Sequence, residues 1–215
     1  MKTDKVYFKN RQDAAEQLID ILPIEEMKLE DWIVFSTSAS GYSIAQKVAE
    51  ALNAKVDYLF CAKIYTPKND ECEIAIVSES QEVVIHEELA KSFGISLDYV
   101  YSKSKIMHEN LLNEKVFKFR NNKRLVNLEN KNVLLVDEGL NTSLTMMACI
   151  KTAITLNAKS VSVAVPIIPN ASIQVIESIA DDLYYKKNIA HFINIKHYYE
   201  ELEEVKFIDI LNIKN

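Results

Sequence analysis

Residues 133–145 read Val133-Leu134-Leu135-Val136-Asp137-Glu138-Gly139-Leu140-Asn141-Thr142-Ser143-Leu144-Thr145. Four consecutive apolar residues fit a short strand buried on both faces, as in a parallel sheet covered by helices. Two carboxylates follow at the strand's tip, and Gly139 then permits a tight turn. Asn141, Thr142, Ser143 and Thr145 bring side-chain donors beside the free amides of the next helix, predicted from about Leu144 to Leu156. Ligands of open parallel sheets bind beyond the carboxyl ends of the strands. The segment therefore reads as a ligand turn. Its acids accept hydrogen bonds from the vicinal hydroxyls of a sugar while staying in solvent, and its helix opening holds a phosphate. The plainer alternative is a turn in which Thr142 or Ser143 merely caps the helix.

Outward from this turn, the apolar spacing alternates between two periods. Arg11 to Leu22 is predicted helical, with Pro23 as its stop. Trp32 to Phe35 reads as a buried strand and leads into Ser36-Thr37-Ser38-Ala39-Ser40-Gly41, a second strand exit of the ligand-binding kind. Helical spacing resumes over Ile44 to Leu52. Val56 to Phe60 reads as a strand, and Ile74 to Val77 with Val83 to Ile85 as a hairpin. Glu87 to Phe93 and Leu97 to about Leu112 read as helices. Lys115 to Arg124, interrupted by Asn121-Asn122, reads as a mobile connection. Val161 to Val165 is a strand, punctuated by Pro166 and Pro169, and a helix runs on to Ala180. Strands alternating with helices predict an α/β fold with a mainly parallel central sheet, helices on both faces and a small hood or extension. No repeat or linker divides the 215 residues, which read as one domain over 1–215.

The formal net charge is −6, which argues against general nucleic-acid binding, since phosphate affinity comes from a basic field. Cys61, Cys72 and Cys149 are odd in number and lack metal-ligand spacing, so no disulfide framework or zinc site is expected. No signal-peptide pattern and no apolar run of about 20 residues occur, so no membrane partner is expected and a cytoplasmic location is. His86, His108, His191 and His197 show no ligand spacing.

Residues 133–145 resemble the phosphoribosyl pyrophosphate motif of type I phosphoribosyltransferases: four apolar residues, two acids, then Gly-x-x-Thr-Gly-x-Thr. The likeness runs along most of the chain toward a bacterial branch whose acceptor is generally unassigned. Phe8-Lys9-Asn10-Arg11 resembles its opening, and Gly41 to Leu52 its first loop and helix. Ala62-Lys63-Ile64 resembles its Arg-Lys-x segment, Val161 to Pro169 its Val-x-Val-Ala-Val-Pro-x-x-Pro, and Phe192 to Glu200 its aromatic tail. The resemblance implies that Asp137 and Glu138 hold the ribose hydroxyls and serve catalysis. It also implies that Leu140 to Thr145 wrap the 5-phosphate, and that a Mg²⁺ ion, with no protein ligand assigned, bridges sugar and pyrophosphate. The implied ligands are phosphoribosyl pyrophosphate or a nucleoside monophosphate, and a homodimer is the candidate assembly.

The departures fall at four places. Ser143 stands where the family has Gly, at a cost of about 1–2 kcal/mol if φ is positive there. Ser38-Ala39-Ser40-Gly41 occupies the pyrophosphate loop, where Pro-Arg-Gly-Gly is usual. Ala39 thus removes a guanidinium that would stabilise a departing anion. Ala62 replaces another Arg, leaving Lys63. Lys118 and Arg120, within a basic segment, supply compensating cations if that segment is a lid, and otherwise belong to a solvated face. Asn141 replaces the acid of the hypoxanthine-guanine branch, and an amide cannot serve as a base there, which ranks 6-oxopurine salvage low. Two functions stand: a transferase moving phosphoribosyl to a nitrogenous acceptor with pyrophosphate release, or a weakened nucleotide or ribose-phosphate binding protein of the same fold.

Overall fold

In a computed structural model describing residues 6–67, 69–121 and 123–214, the chain opens with helix α1 (Arg11–Ile19) and the short α2 (Ile24–Met27). Strand β1 (Trp32–Ser36), helix α3 (Tyr42–Leu52) and strand β2 (Lys55–Tyr58) follow. An inserted unit comprises β3 (Cys61–Thr66), β4 (Asn69–Ser78), β5 (Val83–Ile85), α4 (Glu87–Ser92) and α5 (Leu97–Leu111). A π-helical turn over Leu112–Val116 and the single turn α6 (Phe117–Phe119) end it. The chain then returns to the main sheet with β6 (Asn132–Val136), α7 (Leu144–Thr155), β7 (Ser160–Pro169), α8 (Asn170–Glu177) and β8 (Asp182–Ile189), and closes with α9 (Phe207–Lys214).

Five strands form one parallel sheet in the order β2-β1-β6-β7-β8. The period-2 alternation of side chains divides the core into two layers. Val34, Leu134 and Val136 pack with Ala14, Leu18 and Val48 of α1 and α3. Ile33, Phe35, Val133 and Leu135 face Cys149 and Ile150 of α7 and Ile176 of α8. With both faces covered, the inner strands β1, β6 and β7 are buried and mostly apolar, whereas the edge strands β2 and β8 are half-buried and mixed. Pro166 does not end β7: the ladder to β6 stops at Ala164, and the missing amide leaves a gap only in the pairing with β8.

The strand order reverses between β1 and β6, so the crevice at their carboxyl ends is the topological switch point of the sheet. The predicted hairpin belongs to a second, antiparallel sheet, β3-β4-β5, which forms the extension. Ile76 and Val84 of this sheet pack on Leu144 and Ala148 of α7, seating the extension beside the crevice. Phe8 bridges Tyr199, so the chain's opening and its aromatic tail lie side by side. No helix among the described residues is long and apolar enough to cross a membrane.

The segment read as a mobile connection, Lys115 to Arg124, is helical as far as Phe119. Val116 and Phe119 are buried in an aromatic cluster with Phe60 and Tyr42, which holds the turn in place.

Candidate ribose-phosphate site

The exits of β1 and β6 are bound to each other through Asp137. Thr37 Oγ1 donates to Asp137 Oδ2 at 2.6 Å, and Ser38 Oγ donates to Oδ1. The Glu138 amide also donates to Oδ1, at 2.7 Å. Of roughly four acceptor directions on a carboxylate, three are filled, and one on Oδ2 stays open. Gly41 completes the join, since a Cβ there would stand 2.7 Å from Asp137 Oδ1 and 2.8 Å from its Cα. Only a residue without a side chain lets the two loops meet this closely.

Glu138 is held from the other side. Arg11 Nε donates to Glu138 Oε2 at 2.8 Å, and Tyr199 Oη donates to the Glu138 carbonyl at 2.7 Å. The expectation that the two acids stay in solvent is corrected: each is 8% exposed, because the loops from β1, the head of α1 and the tail close over them. Burial pushes the Asp137 carboxyl above its ordinary value, against the lowering effect of its hydrogen bonds to Ser38, Thr37 and the Glu138 amide. Burial likewise raises Glu138, while Arg11 opposes it.

Beyond the acids, Gly139 runs against β7, where a Cβ would stand 2.5 Å from Ile167 Cγ2. The Leu140 amide donates to the Ile167 carbonyl at 3.1 Å, and the Leu140 and Leu144 side chains enter the core. Ser143 has φ +63°, the left-handed conformation anticipated for the family's glycine, and makes no capping bond. Its Oγ is buried without a partner. The reading of Thr142 or Ser143 as a plain N-cap therefore fails. Among the described residues no protein acceptor meets the amides of Asn141 to Thr145 at the head of α7, the Leu140 amide being the last to find one. A helix opening with free amides attracts anions.

These pieces border one cleft of about 280 Å³. Ser38, Ala39 and Ser40 line it with Asp137 to Ser143 and Thr145, and Lys63 stands on the β3 wall. Gly41 does not line it and serves as the spacer between the two loops. Lys63 is ion-paired to Glu73 of β4 at 2.7 Å. Burial would lower the Lys63 ammonium's pKa, but the Glu73 carboxylate, together with Tyr65 and Asp137, outweighs it and raises it.

Lys118 and Arg120 do not join the cleft. Lys118 is exposed elsewhere, and Arg120 is 5% exposed, tied to Glu79, to Asp57 at 3.1 Å and to the Tyr58 carbonyl at 2.6 Å. The lid reading is corrected accordingly for Arg120: this guanidinium clamps the insertion to β2. Residues that the sequence left unassigned at the site are Thr37, Arg11, Tyr199 and Glu73. The exit position of Thr37 was a usable signal, whereas Glu73 carries none that is local.

A family model described as the phosphoribosyl transferase domain matches residues 9–201. A protein of Mycobacterium tuberculosis (strain H37Rv), whose name assigns it provisionally to the phosphoribosyl transferases, is 25% identical over 179 residues, 82% of this chain and 39% of that protein. The chain thus spans about two fifths of that relative's length. Among solved structures, the TT1426 protein of Thermus thermophilus matches with a TM-score of 0.77 at 20% identity, covering 97% of both chains. A purine phosphoribosyltransferase from Pyrococcus horikoshii matches with a TM-score of 0.50 at 16% identity, covering 95% of this chain and 99% of that one. These two likenesses concern the fold. With a family model that takes in both loops of the cleft, the chain's opening and its tail, the chain belongs to the phosphoribosyl transferase domain family.

Proposed function

We propose that the cleft binds phosphoribosyl pyrophosphate and transfers its phosphoribosyl group to a nitrogenous acceptor. The observation that carries this reading is the uncapped amide turn at Asn141 to Thr145 set against the buried acids Asp137 and Glu138. The turn takes the 5-phosphate, and the open acceptor direction of Asp137 with the Glu138 carboxylate takes the ribose hydroxyls. In the reaction the C1–O bond to pyrophosphate breaks with its electron pair leaving on oxygen. A C1–N bond forms, and the proton of the acceptor nitrogen passes to the departing pyrophosphate. The two carboxylates stabilise the cationic sugar between these events.

Asp137 and Glu138 offer hard oxygen donors, the kind magnesium takes, while no group of three ligating side chains among the described residues builds a cage. A magnesium ion here would be held by Asp137 or Glu138 together with oxygens of the substrate. Bound so, it would neutralise charge on the leaving pyrophosphate.

Ala39 and the Lys63–Glu73 pair favour a second reading, a ribose-phosphate binding protein with weak turnover, because neither offers pyrophosphate a free cation. Calorimetry with ribose 5-phosphate tests the site common to both readings. Asp137→Asn with Glu138→Gln should lose about 1.5–3 kcal/mol per charged hydrogen bond removed, and unchanged affinity would place the ligand elsewhere. Pyrophosphate release then separates the readings. If transfer is limited by the missing guanidinium, Ala39→Arg raises it by roughly 10- to 150-fold with little change in ribose 5-phosphate affinity.

A further inference from the structure

Among the described residues of the cleft wall, Glu73 is the carboxylate that neither the family motif nor the phosphoribosyl reaction uses. Its side chain is 10% exposed; Oε2 pairs with Lys63 Nζ at 2.7 Å, and Oε1 is buried with no hydrogen-bond partner. A buried carboxylate oxygen is costly without a donor, and unpaired ones in folded proteins call for an explanation. Its partner on the other oxygen is poorly anchored, since the Lys63 side chain is 53% exposed and its stem can swing. Among the described lining residues the carboxylates Glu73, Asp137 and Glu138 outnumber the ammonium of Lys63. A cleft of that balance suits a ligand set that includes an N–H donor or cation alongside the phosphates.

We propose that Glu73 is a specificity-determining residue for the acceptor, accepting a hydrogen bond from an N–H of a cationic or strongly polarised nitrogen acceptor, and that pyrophosphate makes it available by drawing Lys63 away. The two ligands thereby exchange one internal ion pair for two external ones. Pyrophosphate takes the ammonium, and the acceptor's N–H takes the carboxylate. No bond is made or broken in this exchange, and its signature is positive coupling between an anion and an N–H cation that depends on both residues. The inference rests on the phosphoribosyl reading of the cleft.

The test uses benzamidinium as the N–H cation, benzamide as its neutral counterpart and inorganic pyrophosphate as the anion, titrated by calorimetry into the full chain. In the wild type, saturating pyrophosphate should tighten benzamidinium by about 5-fold or more, a usual size for coupling between sites, and should tighten benzamide much less. Glu73→Gln should tighten pyrophosphate, because Lys63 is released, and abolish the coupling. Lys63→Met should bind benzamidinium more tightly without pyrophosphate and show no coupling either, so the idea stays testable if Glu73→Gln fails to fold. Benzamidinium binding that is absent, or indifferent to Glu73, overturns the proposal. So does Mg²⁺ binding without pyrophosphate that disappears in Glu73→Gln, since that would make Glu73 a metal ligand. Failure of the underlying reading looks different: ribose 5-phosphate would then not bind the wild type, whatever benzamidinium does.

Discussion

Arg11 Nε lies 2.8 Å from Glu138 Oε2, joining the first residue of α1 to the second acid of the strand-tip turn. The same guanidinium donates through Nη2 to the Glu203 carbonyl at 2.8 Å, so one side chain links the chain's opening, its strand-tip turn and its tail. Both partners are largely buried, with side chains 15% and 11% exposed. Arg11→Ala should therefore destabilise the fold by about 1.5–3 kcal/mol, the usual worth of a charged hydrogen bond whose partner is left unmatched. Urea unfolding measures it, and a change within about 0.5 kcal/mol would mean that Glu138 finds solvent easily.

The raised carboxyls make a prediction about pH. Burial lifts Asp137 above 3.8 and Glu138 above 4.5, so the folded chain holds these protons more tightly than the unfolded one. Their contribution to stability is complete below those unfolded values and is lost as pH rises through the raised folded ones. Compared with Asp137→Asn, the wild type should lose relative stability on going from acid toward neutral pH. Urea midpoints across that window provide the check. A wild type that gains relative stability instead would show that the Thr37, Ser38 and amide bonds outweigh burial.

Ser143→Gly should stabilise the protein. A non-glycine residue at φ +63° carries about 1–2 kcal/mol of backbone cost, and the orphaned hydroxyl adds to it. The greater freedom of glycine in the unfolded chain offsets roughly 0.5–1 kcal/mol. A net gain of about 1 kcal/mol in a thermal or urea melt is the expected outcome. A loss would reveal a partner for the Ser143 hydroxyl.

Arg120 and Lys118 should part company. Arg120→Ala leaves Glu79, whose side chain is 5% exposed, without its counter-ion, and the expected cost is about 3–5 kcal/mol. Lys118→Ala, on an exposed position, should stay within about 0.5 kcal/mol. Equal effects in urea unfolding would contradict the clamp.

What the sequence discloses and what it hides divide along the range of the interactions involved. Val133 to Val136 is legible as a buried strand because its four side chains are all apolar, and Asp137 to Thr145 is legible because a strand tip, a turn and a helix opening are contiguous. The main elements of the α/β fold follow from the same local periods. β8 escapes notice because Asp182 to Ile189 mixes lysines and tyrosines on a half-buried strand beyond β7. Arg120 is hidden differently: its partners Asp57 and Glu79 lie 63 and 41 residues away, and nothing beside it distinguishes a clamp from a surface cation. The same holds for Glu73, whose role is set by a neighbouring strand and an open acceptor direction.

Thr37 and Asp137, bound to each other in the folded chain, are 100 residues apart. During synthesis the second reaches the ribosome about 5–20 s after the first, at roughly 5–20 residues per second. Throughout that interval β1 can pair with β2 on one side only, and the edge destined for β6 stands open as a template for wrong partners. The inserted unit is made within this gap. An incomplete chain thus has a raw strand edge where the finished one has its candidate ligand turn, and the cleft is complete only once that edge has closed.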